Sequence, residues 1–236
     1  MTEIREQKAE LVKWLNGATE YISLIKNFDD KDMLKIWQQS LVDNEPAYHI
    51  YNDNFFLVAS FECWKKYSKK YIKMLFMNEQ VELLLNECNH IIDLGNGLGY
   101  STQLINELFT AKVSCIQLAN TEQYRYNEML KNNLTELDRE EQVDCFVAFD
   151  FMEHLYEPIK YLDELLTKKP KLIILANSFG TEAVGHFKEY LVDDKLINEK
   201  KIGRLFNSHL RKNGFEKLKL NFWNDRPCVW KIKNDL

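Results

Sequence analysis

Cysteines are few and scattered. Cys63, Cys88, Cys115, Cys145 and Cys228 stand alone, so no C-x-x-C spacing offers a zinc site, and an odd count argues against a disulfide framework. They are expected to be small buried hydrophobes. No apolar run approaches the length of a membrane span, and the opening Met1-Thr2-Glu3-Ile4-Arg5 lacks the charged-then-apolar layout of a signal peptide, which predicts a cytoplasmic protein with no membrane partner. There is no excess of positive charge either. Thirty-one basic residues against 36 acidic ones leave a net charge of -5, which gives no global basic field and does not favour nucleic acid as a partner. Nothing repeats at a fixed period, and no low-complexity linker divides the chain. What remains, 45% hydrophobic and 28% charged over 236 residues, is enough to bury a core without disulfides.

The stretch that organises the rest runs from His90 to Thr102. Ile91 and Ile92 lead into Asp93; Gly95, Gly97 and Gly99 then come at every second position, before Ser101 to Leu108 takes on a helical pattern. This predicts a strand, a glycine turn and a helix start. Glycine accepts positive φ and carries no Cβ, so such a turn lets a flat polar ligand lie directly against the backbone. The spacing is not the dinucleotide fingerprint G-x-G-x-x-G, because the position three after Gly97 is Tyr100.

Asp93-Leu94-Gly95-Asn96-Gly97-Leu98-Gly99 instead resembles the first motif of class I S-adenosylmethionine-dependent methyltransferases, a strand ending in D-x-G-x-G-x-G. The resemblance implies S-adenosylmethionine as cofactor, with Asp93, Gly95, Asn96, Gly97 and Gly99 in the binding loop: the glycine backbone against the methionine and ribose, the Asp93 side chain ordering the loop. At the end of the second strand the family has an acid for the ribose hydroxyls. Here the matching position is Gln117, whose amide oxygen accepts without the charge, or Asn120 under a shifted alignment.

Before this motif the chain reads as helices. Leu11, Leu15, Ala18, Ile22 and Ile25 recur at helical spacing; Asp29 or Asp30 can cap a second helix bearing Met33, Leu34, Trp37 and Leu41; and Leu57, Phe61, Trp64, Tyr71 and Leu75 share a third face. Residues 1 to 80 are therefore expected to form a helical N-terminal cap, and 81 to 236 the cofactor-binding domain. Tyr48, His49, Tyr51, Phe55 and Phe56, crowded between helices, are either core or a lid over substrate or cofactor. The lysines at 65, 66, 69, 70 and 73 read as a solvated helix face.

After the motif, helix and strand alternate: strands at 112–118, 143–149 and 172–176, helices at 121–137, 158–167 and 202–212, and a final pair of strands near 217–223 and 228–232 joined through Asn224-Asp225-Arg226-Pro227. This predicts an α/β, Rossmann-like class I methyltransferase fold: a mainly parallel twisted sheet, a C-terminal antiparallel hairpin and the helical N-terminal extension. Between Thr121 and Val143 there is hardly room for the additional strand most members carry; it is either missing or very short near Asp138 to Gln142.

Asp150-Phe151-Met152-Glu153-His154 resembles the acid-x-x-Glu-His turn of the small-molecule, type 11/12-like branch of these enzymes, and Gly185-His186-Phe187-Lys188 its His-containing turn. A sulfonium methyl is already electrophilic, so the protein's work is to align an acceptor lone pair and remove its proton. His154 and His186 are the candidate bases, with a structural role the alternative for each. Asp150, Glu153, His154 and His186 are also oxygen and nitrogen ligands of a kind that holds a divalent cation, but the same turn occurs in relatives without one, and no metal is expected. The function expected is methyl transfer to an O, N or C atom of a small molecule. The alternatives are an idle member of the fold that binds a partner, and an RNA-modifying enzyme, which would need a basic surface at the cofactor mouth. The acceptor, the methylated atom and the oligomeric state are left open.

Overall fold

The computed structural model describes residues 2–140, 142–220 and 227–233. In chain order the elements are helices α1 (Thr2–Trp14), α2 (Thr19–Lys26), α3 (Lys31–Val42) and α4 (Phe55–Tyr67), a π turn at Ser68–Ile72, then α5 (Lys73–Phe76) and α6 (Glu79–Asn86). Next come β1 (His90–Leu94), α7 (Tyr100–Leu108), β2 (Lys112–Ile116), α8 (Glu122–Met129), β3 (Cys145–Phe149), α9 (Pro158–Thr167) and β4 (Leu172–Ala176). A hairpin of β5 (Glu189–Val192) and β6 (Lys195–Asn198), the long helix α10 (Glu199–Lys212), β7 (Phe215–Lys217) and β8 (Cys228–Ile232) complete it.

The main sheet has the order β2-β1-β3-β4-β8-β7. Its first four strands are parallel, and β8 and β7 run antiparallel to their neighbours. Side chains alternate across the pleat, so each strand feeds two layers. Ile91, Cys145, Val147, Leu172, Ile174 and Val229 join one core, with Leu57, Phe61 and Trp64 of α4 and Leu104 and Ile105 of α7. Ile92, Leu94, Phe146, Ala148, Ile173, Leu175 and Trp230 join the other, with Trp37 of α3, Leu162 and Leu165 of α9, and Phe206 and Leu210 of α10. With both faces covered, the central strands β3 and β4 read as unbroken apolar runs, as a doubly covered sheet requires. Among the described residues no helix is long and apolar enough to cross a membrane.

The structure corrects the expected layout in several places. The stripe from Leu11 to Ile25 is split between α1 and α2, because Asn16 and Gly17 take φ of 41° and 86° and end the first helix. The helix expected over 121–137 stops at Met129. The additional edge strand survives only as a single parallel bridge, Cys115 to Leu134, several residues before 138–142, and residues 137–139 form a 3-10 turn instead. The β5–β6 hairpin was not expected at all. Of the final hairpin, residues 221–226, including the expected Asn224-to-Arg226 connection, lie outside the described residues.

Candidate active site

Strands β1, β3 and β4 all end at the same edge of the sheet, so the segments after them meet there: 95–99, 150–154 and 177–187. In open α/β sheets this carboxyl edge is where ligands bind.

After β1 the backbone turns through Gly95, Gly97 and Gly99 with φ of 59°, 54° and 83°, conformations an L side chain resists. Asp93 is buried, and its Oδ2 accepts from Ser101 Oγ at 2.6 Å and Thr102 Oγ1 at 2.8 Å, pinning the turn to the first residues of α7. Burial raises its carboxyl to about 6, against the opposing pull of the two hydroxyls. Asn96 donates to Thr102 Oγ1 and Asn127 Oδ1 at 2.8 and 2.7 Å, while its own Oδ1 is buried without a partner among the described residues. The Gly97 and Leu98 amides likewise meet no acceptor among the described residues.

The loop is covered by the protein's own side chains. A Cβ on Gly95 would stand 2.2 Å from Phe151, one on Gly97 3.0 Å from Ser60 of α4, and one on Gly99 2.1 and 2.2 Å from Asn132 and Asn127. Gln123 of α8 fastens α4 in place, donating to Ser60 Oγ at 2.6 Å and the Phe56 carbonyl at 3.2 Å. Gln117 lies where the second strand ends: Nε2 donates to the Gly97 carbonyl at 3.3 Å, and Oε1 accepts from the Leu118 amide. Asn120, the alternative, sits at φ 64° in the turn before α8. The donor chemistry suits an adenosyl sulfonium with its carboxylate, since those amides and a left-handed backbone lie together. Phe151 and Ser60 already stand where a side chain on Gly95 or Gly97 would go.

After β3, Asp150 takes φ 54° and Met152–His154 form one 3-10 turn. Glu153 is completely buried. Its Oε1 accepts from the Ser178 amide at 2.5 Å and the Ser178 hydroxyl at 2.6 Å, and its Oε2 has no partner among the described residues. Burial, then the Asp150 charge, pushes this carboxyl up to about 8, so near neutrality it holds its proton.

The structure brings His154 and His186 together, ring centroids 4.6 Å apart and edge to face. Desolvation lowers both; His154, also facing His186, is pushed down to about 4. The hydrogen bond of His186 assigns its tautomer. His186 Nδ1 lies 2.9 Å from the Thr181 carbonyl, which can only accept, so Nδ1 carries the proton and Nε2 presents a lone pair. His154 Nδ1 lies 3.0 Å from the Tyr51 hydroxyl. Burial raises the Tyr51 phenol, which keeps its proton near neutrality and can donate to that nitrogen or accept from it. Of the aromatics from the crowded 48–56 segment, Tyr51 reaches the site, Phe55 and Phe56 are core, and Tyr48 is exposed. Ser60, Gln123, Asn127, Asn132 and Phe151 were not anticipated. A signal existed for two of them: Gln123 and Asn127 are polar residues four apart that share the buried side of α8.

A mainly parallel sheet closed by an antiparallel strand pair matches the Rossmann-like fold of solved methyltransferase structures. No protein-family model matches the chain, and no curated protein matches it in sequence. Among solved structures, PigF with SAH is similar, with a TM-score of 0.52 and 10% identity over 77% of this chain and 59% of PigF. A SAM-dependent methyltransferase from Clostridium acetobutylicum ATCC 824 gives 0.49 and 13% over 73% and 97% of the two chains. One from Archaeoglobus fulgidus gives 0.44 and 18% over 66% and 74%. The chain thus shares the fold, and spans about three-fifths of PigF.

Proposed function

We propose that this chain is an S-adenosylmethionine-dependent methyltransferase of a small-molecule acceptor, with residues 1 to 80 as the cap over its site. The observation that carries the reading is the turn from Asp93 to Gly99: left-handed glycines at the carboxyl edge of a parallel sheet, with Gly97 and Leu98 amides that meet no acceptor among the described residues. Those amides would hold the cofactor's carboxylate, the Gly95 and Gly97 backbone would lie along it, and Gln117 would accept from the ribose. Bound there, the cofactor supplies an electrophilic methyl on sulfur. The chain's own residues do the rest. His186, neutral and with a lone pair at Nε2, takes the acceptor's proton; His154, held by Tyr51, stands edge to face against it and fixes the wall of the acceptor site. Phe151 and the cap exclude water.

The test is titration calorimetry with S-adenosylmethionine and its demethylated product. Saturable heat from both is the expected result, and no heat and no thermal shift from either removes the reading. One observation favours a second reading, a fold kept for binding a partner: Phe151 and Ser60 already lie on the glycine loop. Transfer of labelled methyl to a small-molecule fraction of a cell extract separates the two in favour of the enzyme.

A further inference from the structure

Two of the five cysteines do more than fill space. Cys88 stands in the turn between α6 and β1, and Cys145 is the first residue of β3; both join the same buried cluster, Cys88 6% exposed and Cys145 wholly buried. The Asp144 side chain clasps the two segments together. Its Oδ2 accepts from the Asn89 amide at 2.7 Å and the His90 amide at 3.3 Å, Lys171 Nζ lies 2.9 Å from its Oδ1, and its own amide donates to the His90 carbonyl at 3.0 Å. Strand pairing sets Cys145 opposite Ile91. Cys88 and Cys145 therefore flank one clasp, and their thiols meet in a hydrogen bond.

That contact is polarised. Cys145 donates its S–H to Cys88 Sγ, and Cys88 donates in turn to the Leu84 carbonyl at 3.5 Å. The bond from Cys145, with the Lys171 charge behind it, holds the Cys88 thiol below its usual range against the pull of burial, while burial pushes the Cys145 thiol well up. The residue that still touches solvent thus carries the readier thiolate, and the one beneath it keeps its hydrogen. Burial pushes the thiols of Cys63 and Cys115 up to about 12, which leaves them unreactive by comparison. A reactive sulfur with a second thiol against it takes up oxidation as a disulfide, where a solitary one runs on to the sulfinic acid.

We propose that Cys88 and Cys145 are a redox pair that a hydroperoxide closes to a disulfide, stapling the part of the chain that carries the glycine loop. The Cys88 thiolate attacks the terminal oxygen of the hydroperoxide; the O–O bond breaks, the leaving oxygen takes up the proton Cys88 had released, and Cys88 becomes a sulfenic acid. The Cys145 sulfur then attacks the Cys88 sulfur. The S–S bond forms as the S–O bond breaks, and the Cys145 proton departs with that oxygen as water. Two thiols have lost two electrons and the hydroperoxide has gained them. The new bond encloses β1, α7, β2 and α8, and a crosslink around so long a loop strongly restricts the unfolded chain. It lies at the amino edge of the sheet, opposite residues 95–99 and 150–154, and so is independent of the methyl-transfer reading.

The full reduced chain is treated with a small excess of hydrogen peroxide, blocked with iodoacetamide, digested and read by mass spectrometry. The expected main product is a linked pair of peptides holding Cys88 and Cys145, about 2 Da lighter than its reduced parts and separated again by dithiothreitol. The oxidised chain should unfold at a urea midpoint higher by on the order of 1 M, and reduction should restore the original midpoint. Cys145→Ala, with its fold checked by circular dichroism, should give no crosslink and leave at Cys88 a sulfenic acid that dimedone labels; Cys88→Ala should lose both the crosslink and the label. Oxidation that falls first on Cys63, Cys115 or Cys228, a sulfinic acid at Cys88 in the unaltered chain with no crosslink, no oxidation of either residue, or a crosslinked chain whose urea midpoint falls each overturns the proposal.

Discussion

Glu153→Gln is the most informative single substitution, because the two side chains differ in little but a titratable proton. The Glu153 carboxyl ionises at 4.5 when solvated and at about 8 in the folded chain, where it is wholly buried. Between those values the folded state keeps a proton that the unfolded state has released. This contribution to stability is therefore complete below about pH 4.5 and is lost as the pH rises through about 8. Each unit of displacement corresponds to about 1.36 kcal/mol. At pH 6 the folded carboxyl lies two units under its midpoint and contributes about 2.7 kcal/mol; at pH 9 the contribution is close to zero. A glutamine resembles the protonated acid in shape, can accept from Ser178 as Glu153 Oε1 does, and does not titrate. Urea denaturation of both proteins at pH 6, 7, 8 and 9 should show the variant more stable by about 2 kcal/mol at pH 6 and by about 4 to 5 kcal/mol at pH 9, a gap that widens by about 2 to 3 kcal/mol across the range. Other titrating groups are common to both chains and cancel in the difference. Parallel curves across this range would mean that Glu153 is already ionised in the folded protein and that the cluster around Ser178 is more hydrated than its burial implies.

Gly99→Ala places a methyl 2.1 and 2.2 Å from Asn132 and Asn127 at a φ of 83°; it should cost about 2 to 4 kcal/mol in urea denaturation and abolish the heat of S-adenosylmethionine binding. Retained heat at wild-type affinity would show that the loop does not hold the cofactor. Phe151→Ala clears the ring from Gly95, at a cost of about 1 to 3 kcal/mol for a half-buried side chain. Stopped-flow fluorescence should show S-adenosylmethionine associating several-fold faster, and an unchanged rate would remove Phe151 as a barrier. Tyr51→Phe deletes the hydrogen bond to His154 Nδ1 and should destabilise by about 1 kcal/mol while moving the acid limb of the His154 ring titration, which NMR follows directly.

Local chemistry was legible in the sequence; adjacency was not. Asp93 and the alternating glycines announced a left-handed turn because few other residues tolerate one. The acid-x-x-Glu-His segment announced a polar strand exit in the same way. The cover on Gly95 could not be read, since it depends on β1 and β3 lying side by side, which brings Phe151 over a loop more than fifty positions earlier. The β5–β6 hairpin escaped for another reason. Its two-residue turn is Asp193-Asp194, at φ of 49° and 60°, where a glycine would ordinarily flag the left-handed pair. The break after α1 was hidden by coincidence: apolar residues keep helical spacing on both sides of Asn16-Gly17, so the stripe continues where the helix does not. The lysines from 65 to 73 proved unremarkable where described, with Lys65 on Glu62 and Lys73 on Glu3.

The covered glycine loop joins the two halves of the site. Asp150 and Phe151 are consecutive: one presents its carboxylate to the His186 pair, and the other lies on Gly95. The ring can leave the loop by rotation about its own side-chain torsions, and any backbone movement just after β3 that helps it also moves Asp150, which sits at φ 54°. A cofactor that binds only with the ring displaced has its apparent affinity reduced by the fraction of molecules in that state. Anything that stabilises the displaced state removes that reduction. Ser60 makes the same connection from the other side, through Gln123 and α4 to the segment that carries Tyr51. On this geometry an acceptor whose binding shifts Asp150 and Phe151 alters the loop seen by the cofactor, and the linkage is reciprocal: whatever the first ligand does to the affinity of the second, the second does equally to the first.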